Sequence, residues 1–458
     1  MTQSFTSNLQ SALKKSMSAV LVTTFLLTPM AFSYAATTTT SKTTSTKSTA
    51  VKTTSKTAVK TPAKVTAPSK KIAVANPVSA PFEISGWIPY WRTATGTADV
   101  LPHLSILTEV NPFGYTVKND GTLFDAMNVQ DPAWLALKTA ASSSRVRYIP
   151  SVMWSDTAAI HNVLSNPTLR KAHEQSIAQA VIQNGYDGID IDYEGKSADD
   201  RANFTLFLKE MSELFAKKNM NKWLMCTIEA RQPLTARYSG TPPAGIEYAN
   251  DLPSINKYCD RVRLMTYDQQ NADIQLNAQH AQDLYMPVAD TAWVAKVVNY
   301  MAADIDKKKM VIGVATYGDI YQAMPNVDGS GYTYDNLGAF NPGYATALAA
   351  QYGITPTRNS SGEMSFSYVP KETSSALPSN SILSALAPVG TLGANLAGAG
   401  ALALASAKHQ QAPVQYLVWS DATSVQQKIA LAKQLGVRGV AVFKFDGGED
   451  QNIWNILK

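Results

Sequence analysis

The chain has 458 residues, of which 45% are hydrophobic and two are cysteine. That composition excludes a wholly disordered chain and a cysteine-held metal centre, and the length suffices for one large domain. The net charge of +5 is not a nucleic-acid signature: two of the 40 basic residues precede residue 36 and eight lie in 36–81, leaving 30 against all 35 acids in the remainder.

Residues 1–35 read as a signal peptide. Lys14 and Lys15 precede an apolar run over 17–32, and Ser33 and Ala35 supply the small side chains of a cleavage site. An uncleaved N-terminal anchor is the alternative. No cysteine follows the run to carry a lipid, and no transmembrane domain is expected beyond this segment. The expected location is secreted, periplasmic or cell-wall associated. Residues 36–81 are rich in Thr, Lys, Ser, Ala and Pro and contain neither an aromatic nor an acidic residue. Such a stretch buries too little apolar surface to offset its ordering entropy, so it reads as a disordered linker. Its lysines suit either a plain solvated spacer or contact with anionic cell-wall polymers.

From residue 82 to 458, strand-like apolar runs alternate with helical stretches. The runs cover 84–90, 110–117, 146–153, 187–194, 223–228, 262–267, 310–317 and 439–443. Helical spacing recurs over 167–184, which stops at Gly185, over 203–218 and 293–302, and over 424–435, which stops at Gly436. Eight strand–helix units argue for an α/β chain folded as a (β/α)8 TIM barrel. The alternative, an open doubly wound sheet, lacks the glycine-rich phosphate loop expected after its first strand. Residues 319–413 are too long for a loop and read as an insertion after the seventh strand, with a small sheet in the part through Tyr368. Within a low-complexity part at 376–408, residues 382–407 carry no charge. Pro388 and Asn395 weaken a continuous helix there, so a surface insertion is expected, with a membrane-touching hairpin as the alternative. Cys226 and Cys259 fall on or near neighbouring strands; they suit either a disulfide or two buried thiols, and thiols are the preferred reading.

The fourth run, Asp187-Gly188-Ile189-Asp190-Ile191-Asp192-Tyr193-Glu194, carries acids where a core belongs. Strand side chains alternate, so Asp190, Asp192 and Glu194 share one face, roughly 6.6 Å apart along the strand. Burying three unpaired carboxylates costs several kcal/mol each or forces protonation. At the C-terminal mouth of a barrel, strand ends carry the chemistry. Glu194 is outermost and is the natural proton donor, with the other two stacked beneath it.

These eight residues match the D-G-x-D-x-D-x-E signature and resemble glycoside hydrolase family 18, the chitinase family. Met265-Thr266-Tyr267-Asp268 resembles the family's sixth-strand M-x-Y-D. Ile312-Gly313-Val314 with Tyr317-Gly318 resembles its seventh strand, and Gly86-Trp87 with Tyr90-Trp91 its first. The turn Gly447-Gly448-Glu449-Asp450 followed by Trp454 resembles the bacterial cell-wall and spore branch. The resemblance implies retaining hydrolysis of β-1,4 bonds beside an N-acetylated sugar, in chitin or peptidoglycan, with the substrate's acetamido oxygen as nucleophile. Glu194 then protonates the leaving oxygen, Asp192 holds the acetamido group, Asp190 supports Asp192, and Tyr267 donates to the acetamido carbonyl. Asp268, Met265, Trp87, Tyr90, Trp91, Phe443 and Glu229 are the implied substrate contacts, and no metal or organic cofactor is required. Trp154 and Trp419 lie near strand ends and are further candidates for the cleft. A salt bridge to nearby Arg231 is the bland alternative for Glu229. One position departs from the family: Phe443 stands where a tryptophan usually floors the cleavage subsite, and a phenyl ring offers less stacking area. That departure keeps a second reading in play, a weakly active or inactive lectin-like protein that binds chitin or peptidoglycan.

Overall fold

In the computed structural model, which describes residues 81–217, 220–370 and 413–458, eight parallel strands close into a ring. They are Glu83–Pro89, Glu109–Val117, Ser151–Trp154, Gly188–Tyr193, Trp223–Glu229, Arg261–Met265, Met310–Ala315 and Gly439–Phe443. Each pairs with its neighbours in chain order, and the first strand closes the ring against both the second and the eighth. All eight expected strands are therefore present. The third is shorter than its apolar run: Arg147–Tyr148 forms a separate short strand on the second, and Pro150 separates it from Ser151. The expected signal peptide, the linker through residue 80 and the low-complexity part at 376–408 lie outside the described residues. Among the described residues, no helix is long and apolar enough to cross a membrane.

The outer helices form where side chains satisfy their first turns. Asn166 accepts hydrogen bonds from Thr168 and Leu169 N–H ahead of Pro167–Gln183, and Asp421 with Ser424 closes a reciprocal cap on Ala422–Leu435. Arg201–Lys217 buries Phe204, Phe207, Leu208 and Met211 against the barrel. Tyr193, on the outer face of the fourth strand, packs 5.5 Å from Phe207 between ring centroids. Ile189 and Ile191 share that buried face, which leaves Asp190 and Asp192 directed inward.

The cysteines correct one expectation: Cys226 and Cys259 form a disulfide. The two residues, one in the fifth strand and one just before the sixth, have Cα atoms 6.0 Å apart, within the usual range for a bridge. After the seventh strand comes a five-stranded antiparallel sheet, in the order Tyr332–Phe340, Gly318–Pro325, Val414–Trp419, Met364–Tyr368 and Thr357–Arg358. Its central strand, Val414–Trp419, lies beyond the end expected at 413, so the inserted sheet runs on to Trp419. Buried Glu363 fastens this sheet to the barrel. It accepts from the N–H groups of Val288 and Ala289 (both 2.9 Å) and pairs with buried Lys428 on the last long helix (3.2 Å).

Candidate active site

The acid row stands inside the mouth of the barrel. Asp190, fully buried, accepts from Ser151 Oγ (2.7 Å), Thr227 Oγ1 (2.9 Å) and Trp87 Nε1 (3.2 Å), donors on three other strands. Arg263 Nη1 lies 2.7 Å from the same carboxyl. Burial pushes Asp190 up to about 6, the three donors pull the other way, and the adjacent guanidinium favours its anion. Burial also lowers Arg263, to about 9, which leaves it charged at neutral pH. Its other end pairs with Glu109, which in turn accepts from Arg147 Nε (3.1 Å) and Asn111 Nδ2 (2.8 Å). The barrel interior beneath the acids is thus a chain of alternating charges.

Asp192 has no cation of its own in contact. It is buried, and its Oδ1 has no hydrogen-bond partner. Burial, then Glu194 and Asp190, raise its carboxyl well above the usual range. Glu194 follows directly after the strand, its N–H donating to Trp154 O (2.8 Å). Burial first, then the charge of Glu229, push Glu194 up to about 7. The row therefore alternates an anion at the bottom, a proton holder in the middle and an acid near neutrality at the top.

Tyr267 follows the sixth strand, and its ring needs the bare backbone of Gly313: a Cβ there would fall 2.6 Å from Tyr267 Cε1. Burial and the acids Asp192, Asp268, Glu194 and Asp190 raise its phenol, so it remains a donor. Asp268 accepts from the Tyr317 hydroxyl (2.5 Å). Solvent reaches it through the open mouth, yet the surrounding protein still raises its carboxyl. Asp319, at the start of the inserted sheet, is pushed up to about 7 by burial and by Asp268. Met265, half-buried, pairs in register with Glu229. Glu229 accepts from Asn250 Nδ2 (2.6 Å) and Gly195 N–H (3.3 Å), and its nearest cation is Lys196 at 4.0 Å rather than Arg231.

Phe443 ends the eighth strand amid Tyr267, Trp87, Phe113 and Tyr317, with ring centroids between 5.7 and 6.1 Å away. Trp87 is buried and serves Asp190 as a donor, so it is not an open sugar platform. Trp91 is that platform's better candidate: it is 51% exposed and braced edge-on by Tyr90 and Phe113. Trp154 and Trp419 leave the cleft altogether. Trp154 packs outward on Tyr193, and Trp419 packs between Phe340 and Phe366 inside the inserted sheet. Sequence reasoning missed Arg263 and Lys196. Arg263 stands two residues before Met265 on the same inward face, a periodicity that marks it, whereas Lys196 lies in a loop with no period to follow. Among the described residues, no cluster of three or more His, Cys, Asp or Glu has the arrangement of a metal site.

A closed barrel with stacked carboxyls, a phenol and an aromatic floor at its mouth defines a class of glycan-cleaving enzyme. The family profile for glycosyl hydrolases family 18 matches residues 84–448, and the chain belongs to that family: it is a glycoside hydrolase. It is 24% identical over 298 residues to the uncharacterized glycosylase YvbX of Bacillus subtilis, covering 65% of this chain and 67% of that protein. The spore cortex-lytic enzyme SleL of Bacillus cereus superposes with a TM-score of 0.58 at 17% identity, over 82% of this chain and 73% of SleL. A class V chitinase from Nicotiana tobaccum, in complex with NAG4, gives 0.57 at 15% identity over 82% and 98%. At these identities the two structures speak for the fold alone.

Proposed function

We propose that the protein hydrolyses β-1,4 bonds next to N-acetylglucosamine in chitin or peptidoglycan, with retention, using the substrate's own acetamido oxygen as nucleophile. Glu194 carries the reading: it stands at the strand end above buried Asp190 and Asp192, and burial with the charge of Glu229 pushes its carboxyl up to about 7, where it can both give and take a proton. Glu194 passes its proton to the glycosidic oxygen as that bond breaks and the acetamido oxygen bonds to the anomeric carbon. Asp192, protonated above the Asp190 anion, accepts the acetamido N–H and balances the positive oxazolinium as its proton shifts toward Asp190. Tyr267 donates to the acetamido carbonyl oxygen. Water then attacks the anomeric carbon, Glu194 takes a proton from it, and the acetamido group re-forms. Membership of glycosyl hydrolases family 18 supports a glycan substrate, and the acid row of Asp190, Asp192 and Glu194 supports the acetamido-assisted route.

Export from the cytoplasm belongs to the same proposal. The Cys226–Cys259 disulfide supports an oxidising compartment, and the lysine-rich 36–81 segment suits a contact with anionic wall polymer. The purified chain, offered chitin oligomers and peptidoglycan side by side, should release products with new reducing ends, read by mass spectrometry. Glu194→Gln should release none while keeping its fold. Full activity in that variant, or no product from either substrate with folded protein, would sink the assignment.

A further inference from the structure

The buried acids of the mouth are matched by two buried cations, and the mechanism above uses neither. Arg263 faces Asp190. Lys196 comes off the turn directly after Glu194. Gly195 adopts φ +63° in that turn, its carbonyl accepts from Thr157 Oγ1 (2.6 Å), and its N–H donates to Glu229 Oε1 (3.3 Å). The reversal folds the Lys196 side chain back beside the strand end. There its ammonium donates to the Tyr193 carbonyl, lies 4.7 Å from the Phe204 ring centre and 4.0 Å from Glu229, and is only 1% exposed along the side chain.

We propose that Lys196 is a positioning residue for the proton on Glu194, its ammonium held by the Tyr193 carbonyl and Glu229 as a fixed counter-charge to the mouth carboxyls. The proposal rests on the glycosidase reading. The groups whose charges bear on Glu194, or feel its charge, are Asp192 on its own strand, Glu229 on the fifth, Tyr267 and Asp268 after the sixth, and Lys196 from the turn that Glu229 itself touches. All but Lys196 are acids or a phenol, and negative neighbours hold the proton on Glu194 more tightly. A general acid that must become a base in the next step needs a proton it can lose near working pH. Lys196 supplies the opposing field, and the Tyr193 carbonyl, a backbone acceptor, holds its ammonium in place. A tether to the Tyr193 carbonyl needs only a neutral donor. An ammonium buried at this point carries a desolvation cost that a tether alone does not justify.

Two substitutions must act with opposite sign. Lys196→Gln removes the cation and should raise the titration of Glu194 by about one unit, the low end for a nearby opposite charge. Glu229→Gln removes an anion and should lower it. The titration is followed by 13C NMR of labelled glutamate carboxyls, with Glu194 assigned by its loss in Glu194→Gln, and needs no turnover. The descending limb of kcat/KM against pH on a chitin oligomer should move with it in each variant. An unshifted Glu194 titration in folded Lys196→Gln overturns the proposal, as does a shift of the same sign in both variants. If Lys196→Gln does not fold, Lys196→Met is read in the same way, and an unshifted titration there overturns it. Shifted titrations in a chain whose wild type cleaves no glycan overturn the glycosidase reading instead.

Discussion

The rings of Tyr267 and Phe443 lie stacked, with centroids 5.7 Å apart and planes inclined by 21°. The side chain that ends the eighth strand thus braces the phenol that follows the sixth. The smaller ring in place of the family's tryptophan therefore has a structural partner in Tyr267.

Phe443→Ala should lower kcat as well as raise KM, because Tyr267 loses one side of its slot. A misplaced reacting group costs on the order of 10- to 100-fold. Steady-state kinetics on chitin oligomers separates the two constants; a rise in KM with kcat unchanged would leave Phe443 as a floor only. Stability should drop by about 2 kcal/mol, below the full core cost because the ring is only partly buried.

Arg263→Met should destabilise the fold strongly. It leaves Asp190 and Glu109 buried without their shared cation, and breaking a buried pair from one side costs about 3–5 kcal/mol. Urea unfolding reads the loss, and a loss under 1 kcal/mol would contradict the charge chain described for the barrel interior.

Replacing Cys226 and Cys259 together by Ala should cost about 3–4 kcal/mol, the loop-closure value for a separation of 33 positions along the chain. The same loss should appear in the wild type under reductant, and the two should not add.

Glu194→Gln should be more stable than the wild type at pH 8 and equally stable at pH 4. Glu194 is held in the fold at about 7, above its ordinary 4.5. A raised carboxyl binds its proton more tightly when folded, so its stabilising contribution is complete below about pH 4 and disappears as pH rises through 7. A neutral amide escapes that loss, and the gain at pH 8 is on the order of 1–3 kcal/mol. Denaturant midpoints at the two pH values check it; equal midpoints at pH 8 would contradict the raised carboxyl.

The barrel was legible because its signals are local. Each strand is a short apolar run with a helix after it, and the row of Asp190, Asp192 and Glu194 follows from period two alone. The counter-charges were harder to read: period two turns Arg263 inward with Met265, but its partners Asp190 and Glu109 meet it only after the ring closes, and Lys196 lies in a loop with no period and folds back through the turn at Gly195. The four tryptophans show the same limit: all lie at or near strand ends, yet Trp87 faces the barrel interior, Trp91 the mouth, Trp154 the helices and Trp419 the inserted sheet. The cysteines failed for a further reason. Their separation along the chain allowed either state, and the choice depended on how closely the fifth strand approaches the start of the sixth.

The strands on either side of residues 371–412 are hydrogen-bonded neighbours, with Tyr368 opposite Gln415. Antiparallel neighbours can be joined by as few as two residues. The chain therefore leaves the sheet and re-enters it at almost the same point. A turn of two residues would close that gap, so the ladder between Met364–Tyr368 and Val414–Trp419 sets only a lower bound on the length of the connection.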